Sequence, residues 1–234
     1  MIDFRLGRYQ DVLADIDEVS AVICDPPYSW RTHDGQCTTA RDGAKRRDLS
    51  YAMWSKNEII EFLTFWKPKC SGWFACMSDS VLTETWRECY EQFGLTGFSP
   101  IPCTMPGMTV RLSGDGPSSW TVYLNVARPK NISRWGTLKG EYRGTPDRGG
   151  HIGGKPIWLM SAIIRDYSRP GDLICDPCAG GATTLIAAAS QGRRAVGCEM
   201  DEETYKKAQA RIDAGYTEDL FIDEPDRCCE GNCE

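Results

Sequence analysis

The sequence predicts an α/β protein built on one largely parallel sheet with an antiparallel element at one edge. Two observations carry that prediction. Short β-rich runs alternate with helical stretches along most of the 234 residues. Two of those runs end in turns rich in Pro or Gly, Asp25-Pro26-Pro27-Tyr28 and Asp176-Pro177-Cys178-Ala179-Gly180-Gly181, the second of which opens a helix. The length suits one domain with a full core and is short for two. No apolar run approaches the roughly 18 residues of a membrane span.

Each element follows from its local pattern. Ala21-Val22-Ile23-Cys24 is an unbroken apolar run, hence a buried strand, stopped by the Asp-Pro-Pro turn. Asn57 to Trp66 is amphipathic and helical, with Pro68 beyond its end. Gly72 to Met77 is the next strand, and Ser80 to Phe93 the next helix, closed by Gly94. Gly97 to Cys103 and Trp120 to Ala127 are both β-rich and flank the loop Leu112 to Ser119, which predicts an antiparallel element at one sheet edge. Pro129 to Gly154 is basic, glycine-rich and without periodicity, so a long loop or insertion is expected there. Helices are then predicted over Pro156 to Tyr167, Ala182 to Gln191 and Glu202 to Ala214, with strands at Leu173 to Cys175 and Ala195 to Cys198. Residues 1–213 form the predicted domain, with a short insertion near 129–150. Residues 214–234 form an acidic tail expected to be poorly ordered.

The formal net charge of -6 is concentrated in that tail, where seven acids accompany one base. The remaining body is therefore close to neutral. Arg31 to Lys69 carries eight bases and five acids, and Arg128 to Arg148 six bases and two acids. Two locally positive segments of this kind suit contact with backbone phosphates. Twelve cysteines do not form a disulfide pattern: Cys24, Cys76, Cys103, Cys175 and Cys198 lie in or beside apolar runs, where Cys acts as a small buried hydrophobe. The charged N-terminal segment lacks a signal-peptide core, so a reducing, cytoplasmic setting is expected. His33 and His151 have no metal-ligand spacing, and Cys228, Cys229 and Cys233 lack a fourth ligand, so no metal is expected.

The second turn carries cofactor chemistry. Asp176 to Thr184 (through Ala182 and Thr183) follows a strand and opens a helix, and its small residues let the backbone approach a ligand closely. Glu199 ends the following strand 23 residues after Asp176, the place where a Rossmann-like site holds ribose hydroxyls. The turn is not Gly-x-Gly-x-x-Gly, and it places a carboxylate where pyrophosphate would need free helix-terminal amides. An acid suits a cationic ligand instead, which points to S-adenosylmethionine.

Asp25-Pro26-Pro27-Tyr28 resembles the DPPY motif of amino-methyltransferases that act on nucleic-acid bases. The segment from His151 through Lys155 and Pro156 to Met160 resembles the H-x-x-x-K-P-x-x-L element that precedes their cofactor strand. Asp176 to Thr184 is similar to their D-P-F-x-G-x-G-T-T turn, and Gly192 to Glu199 to the g-R-x-x-x-G-x-E continuation. The order, catalytic motif first, is that of the β-type DNA methyltransferases, and the resemblance runs from about Leu6 to Ile212. It implies a Rossmann-like S-adenosylmethionine-dependent methyltransferase fold, a mixed sheet of about seven strands with helices on both faces, with circularly permuted motifs. It also implies catalysis by Asp25, Pro26, Pro27 and Tyr28, with cofactor contacts from the glycine turn, Glu199, His151, Lys155 and Pro156. An aspartate in the first motif position implies adenine N6 as acceptor, since N4-cytosine enzymes more often carry serine there. Adenine in RNA, cytosine N4, or a nucleic-acid-binding paralogue without activity are the alternatives.

The residue types match that chemistry. The lone pair of an exocyclic amine is delocalised into the base. A carboxylate (Asp25) and a fixed carbonyl (Pro26) can accept both amine hydrogens and restore a usable lone pair. Tyr28 offers a stacking face worth about 1–3 kcal/mol to an extruded base. Double-stranded DNA is the expected partner, bound by a monomer or homodimer. Phosphate contacts are expected from Arg31, Arg41, Lys45, Arg46 and Arg47 in the loop after the motif, and from Arg134, Lys139 and Arg143 in the insertion. Three features depart from the family pattern. Gly7-Arg8-Tyr9 stands where Gly-Asp is usual, leaving Asp11 or Tyr9 as substitutes; Cys178 replaces Phe; and the recognition segment is short, which implies a short or relaxed target.

Overall fold

A computed structural model describes residues 1–35, 53–107, 117–132, 135–146 and 154–215. Its elements are β1 (Ile2–Leu6), α1 (Tyr9–Val12), β2 (Val19–Cys24), α2 (Trp30–Gly35), α3 (Lys56–Trp66), β3 (Cys70–Ser78), α4 (Thr83–Gln92) and β4 (Leu95–Gly97). They continue with β5 (Ile101–Thr104), β6 (Thr121–Pro129), β7 (Tyr142–Arg143), α5 (Ile157–Tyr167), β8 (Leu173–Asp176), α6 (Thr183–Ser190), β9 (Arg194–Glu199) and α7 (Glu202–Asp213). The strands form one sheet in the order β1-β9-β8-β2-β3-β6-β5-β7, with β4 also paired to β6. The first five in that order are mutually parallel, and β6 runs antiparallel to β3.

Period-two alternation divides the core between the two faces. Ala21 and Ile23 of β2, with Ala75 and Met77 of β3, pack against α5 and α6 residues such as Leu159, Ile163, Leu185 and Ile186. Val22, Cys24, Phe74 and Cys76 point the other way, onto Ile59, Phe62 and Leu63 of α3 and Trp86 and Tyr90 of α4. Continuous apolar runs are needed because strands in the middle of such a sheet are covered on both sides. Local sequence fixes the helix ends. Ser55 and Glu58 form a capping box at the start of α3, and Asp201 accepts the Thr204 N–H at the start of α7. Gly94 adopts φ +75° just past α4.

The sheet has nine strands among the described residues, where about seven were predicted. Ile2–Leu6 was hidden by its pattern: as an edge strand paired on one side only, it alternates apolar and charged residues and resembles a solvated terminus. The predicted strand Gly97 to Cys103 is two pieces. β4 and β5 lie end to end along β6, Gly97 opposite Ala127 and Ile101 opposite Leu124. The predicted antiparallel element is therefore present, yet its longer member β6 is inside the sheet, between β3 and β5. The unstructured reading of residues 129–154 also missed β7, two residues that extend the edge beyond β5.

Cys24, Cys76, Cys103, Cys175 and Cys198 are all buried and free, as their apolar settings predicted. Cys24 and Cys76, side by side on β2 and β3, place their sulfurs 3.6 Å apart as thiols. Burial pushes the Cys103 and Cys198 thiols up to about 12, which leaves them unreactive. Among the described residues no helix is long and apolar enough to cross a membrane. The predicted tail falls almost wholly outside the described residues.

Candidate active site

The topology itself creates a crevice. From β2 the chain passes to β3 on one side, whereas from β8 it passes to β9 on the other, and β2 and β8 are neighbours. Connections that diverge from adjacent parallel strands leave a gap above their carboxyl ends, the usual ligand position in open α/β sheets. With Val22 beside Cys175, both predicted motifs open at that gap: Asp176 ends β8 and Asp25 follows β2.

Asp25 is held by two donors. Its Oδ1 accepts the Tyr28 hydroxyl at 2.8 Å, and its Oδ2 accepts the Lys155 ammonium at 2.5 Å. The same ammonium lies 5.0 Å from the centre of the Tyr28 ring, so Lys155 covers one side of that ring. Pro26 is buried beneath the turn, and the Tyr28 carbonyl accepts the Trp54 N–H at 3.1 Å. Burial, reinforced by the Asp25 carboxylate, raises the Tyr28 hydroxyl well above its ordinary value, so it remains a proton donor to Asp25.

On the other side of the crevice, Asp176 is 1 % exposed. It accepts the Cys178 N–H at 3.1 Å. Burial pushes its carboxyl up to about 7, and Asp25 and Glu199 add further upward pressure. Glu199 is fixed through both oxygens, by the Gly180 N–H at 3.1 Å and the Asp201 N–H at 2.8 Å. Arg211 of α7 donates to the Gly181 carbonyl and the Thr183 hydroxyl, anchoring the far side of the turn. Ala182, at φ 60°, is the one non-glycine residue at positive φ among the described residues. That conformation costs an L-residue about 1–2 kcal/mol, a strain the turn retains just where α6 begins. Behind the turn Gly197 leaves no space: a Cβ there would stand 2.5 Å from the Asp176 carbonyl oxygen.

A family model for DNA methylases, of the N6/N4 type, matches residues 78–210. This chain belongs to the N6/N4 DNA methylase family. It is 37% identical over 76 residues to the DNA adenine methyltransferase YhdJ of Escherichia coli, covering 32% of this chain and 24% of that protein. It is 38% identical over 66 residues to the type II methyltransferase M2.DpnII of Streptococcus pneumoniae, covering 28% and 25%. The matched stretches thus span about a quarter of these curated relatives. The same fold is present in M1.HpyAVI, solved as a complex with SAM, at TM-score 0.71 and 18% identity over 91% of this chain and 99% of that one. It is also present in the cytosine-N4-specific PvuII DNA methyltransferase, at TM-score 0.63 and 14% identity over 96% and 87%.

Several of the predicted site residues are neighbours. Lys155, predicted among the cofactor-binding residues, pairs with Asp25 of the prolyl turn. Gly180 donates to Glu199, and Asp25 and Glu199 both stand close enough to Asp176 to raise its carboxyl. Arg31 is exposed on α2, directly after the prolyl turn. Arg143 is exposed on β7 beside Thr104, at the end of β5 whose neighbour Thr121 lies just beyond the Tyr123–Ser78 pair. Lys139 is elsewhere. It lines a cavity of about 350 Å³ with Trp73, Phe98, Arg128 and Tyr167, near the start of β3 and away from Ser78 at its end. Arg41, Lys45, Arg46, Arg47, Arg134 and His151 lie outside the described residues. Of the two proposed substitutes for the usual N-terminal acid, Asp11 is exposed. Tyr9 is buried among Phe62, Phe65 and Trp66. Arg211 and the acid Asp79 were not anticipated; single charged residues on a helix face or at a strand end have no sequence signature.

Proposed function

We propose that this chain transfers a methyl group from S-adenosylmethionine to the exocyclic amino group of a base in DNA, with adenine N6 as the acceptor. One observation carries the reading: Asp25, on a rigid prolyl turn just after β2, and Asp176, which ends the neighbouring strand β8 and opens a glycine turn, stand close enough that Asp25 raises the Asp176 carboxyl. Family membership supports the reaction class.

The residues present fit the cofactor. Three carboxylates, Asp25, Asp176 and Glu199, stand near enough that each of the other two raises the Asp176 carboxyl, and that repulsion is relieved by a cation. When bound, S-adenosylmethionine supplies a methyl group made electrophilic by its sulfonium. Glu199, with both oxygens already oriented by backbone donors, retains lone pairs for ribose hydroxyls. Asp176 faces the cationic portion. On the acceptor side, Asp25 and the Pro26 carbonyl receive the two amine hydrogens, which localises the nitrogen lone pair for in-line attack. Tyr28, partly buried beside Asp25, is the aromatic group on which an extruded base stacks.

The aspartate in the first motif position supports adenine. Likeness of fold to the cytosine-N4-specific PvuII enzyme supports cytosine N4 as the second reading. Incubating the protein with S-adenosylmethionine and duplex DNA, digesting to nucleosides and weighing them separates the two. N6-methyladenine is the expected product; N4-methylcytosine alone would transfer the proposal to the second reading, and neither product would end it.

A further inference from the structure

A carboxylate outside every motif discussed above reaches the catalytic turn. Asp79 follows the last residue of β3 and divides its two oxygens between two tasks. Oδ2 accepts three hydrogen bonds from the segment just after Tyr28: the Ser29 N–H at 3.1 Å, the Ser29 hydroxyl at 2.5 Å and the Thr32 hydroxyl at 2.8 Å. Oδ1 accepts the Val81 and Leu82 N–H groups at 3.1 and 3.3 Å, shaping the turn that leads into α4. Ser29 is 1 % exposed, so its amide has little water to fall back on.

We propose that Asp79 is a positioning residue for methyl transfer, one that fixes the exit of the Asp-Pro-Pro-Tyr turn. The inference rests on the reading of that turn as catalytic. Its physical basis is the way the turn is held. The two prolines fix φ at their own positions, but nothing in them fixes the backbone beyond Tyr28. There the chain is clamped from two directions, by the Trp54 N–H on the Tyr28 carbonyl and by Asp79 on the Ser29 N–H. Both clamps grip the single peptide unit that joins Tyr28 to Ser29, and the Tyr28 hydroxyl in turn orients Asp25 Oδ1. Release of Ser29 therefore loosens the Tyr28 ring and, through it, the carboxylate that receives the amine hydrogen. Misplacement by about 1 Å in such a constellation costs about 10²-fold in rate. The anchor is also rigid, because Ser78, directly before Asp79, receives the Asn125 amide at 2.9 Å from β6.

The division of labour allows positioning to be separated from simple stability. In Asp79→Asn the amide oxygen can still accept from Val81 and Leu82, while the amide nitrogen meets the Ser29 N–H donor to donor. The expected result is a kcat lowered about 10- to 100-fold, with S-adenosylmethionine affinity within about threefold of the parent. The paired change Ser29→Ala with Thr32→Val, which leaves the α4 turn untouched, lowers kcat in the same direction and by less. Amide hydrogen exchange supplies a readout independent of activity: Ser29 exchanges at least about tenfold faster in Asp79→Asn, with Val81 and Leu82 unchanged. Unchanged exchange at Ser29 would overturn the clamp. A parent-like kcat beside faster Ser29 exchange would overturn its catalytic bearing. If the parent protein transfers no methyl group at all, the proposed function fails, and the exchange measurement alone decides whether Asp79 holds the turn.

Discussion

The Lys155 ammonium stands 2.5 Å from Asp25 Oδ2, although 130 residues separate the two in the chain. The pair is mostly withdrawn from solvent, with side-chain exposures of 10% for Lys155 and 23% for Asp25. Lys155 precedes α5, whose first-turn residues Leu159 and Met160 pack with Ala21 and Ile23 of β2, so the helix brings the charge to the prolyl turn. The contact places the Lys155 ammonium beside the prolyl turn.

Lys155→Met is therefore expected to lower methyl transfer by about 10²-fold while leaving S-adenosylmethionine affinity within about threefold. Pre-steady-state transfer and calorimetric binding measured on the same preparation check this. Affinity lost in proportion to rate would return Lys155 to the cofactor half.

Asp25→Ala removes the acceptor for the amine hydrogen and leaves the glycine turn intact. Transfer falls below detection and cofactor affinity stays close to that of the parent protein. Retained transfer in a radiolabelled-methyl assay would refute the role given to Asp25.

Asp176 predicts a pH dependence of binding. Its carboxyl, raised by burial to about 7, is half protonated near neutrality. A cationic ligand favours the carboxylate, so S-adenosylmethionine affinity rises with pH up to about 7 and levels off above it, by at most about tenfold per pH unit. In the ligand-free protein the sign is opposite. The folded state keeps a proton that the unfolded chain gives up above its ordinary carboxyl value of 3.8, so stability declines as pH rises from that value to about 7. Asp176→Asn abolishes both dependences, which titration calorimetry and thermal melts across that window can record.

Gly197→Ala tests the packing behind the turn. The new methyl would meet the Asp176 carbonyl oxygen at 2.5 Å and the Leu185 side chain at 3.0 Å, and a backbone atom cannot swing aside. A loss of about 2 kcal/mol or more in stability is expected, with weaker cofactor binding as β8 and β9 separate. An unchanged denaturation midpoint would contradict this packing.

How much of this was legible in advance differs between the two halves of the site. The strand, glycine turn, helix and terminal acid of the cofactor half are contiguous in sequence, and they are contiguous in space because one βαβ unit makes them. The prolyl turn was equally plain, since Pro26 and Pro27 fix their own backbone. What joins the two halves was not written locally. Lys155 lies near Asp176 in sequence but pairs with Asp25. Asp79 reaches Ser29 from a strand end 50 residues away. Ile2–Leu6 became a strand only because β9 offered it an edge.

By itself, then, the sequence determined what short-range physics controls: which runs are strands or helices, where proline and glycine stop them, and which side chains can accept a proton or face a cation. The tertiary structure decided which of those groups meet. Strand order placed β2 beside β8 and opened the crevice between them. Burial then raised Asp176, and packing brought Lys155 and Asp79 onto the prolyl turn and its exit. Such meetings depend on contacts between residues far apart in the chain, whose geometry no local pattern encodes.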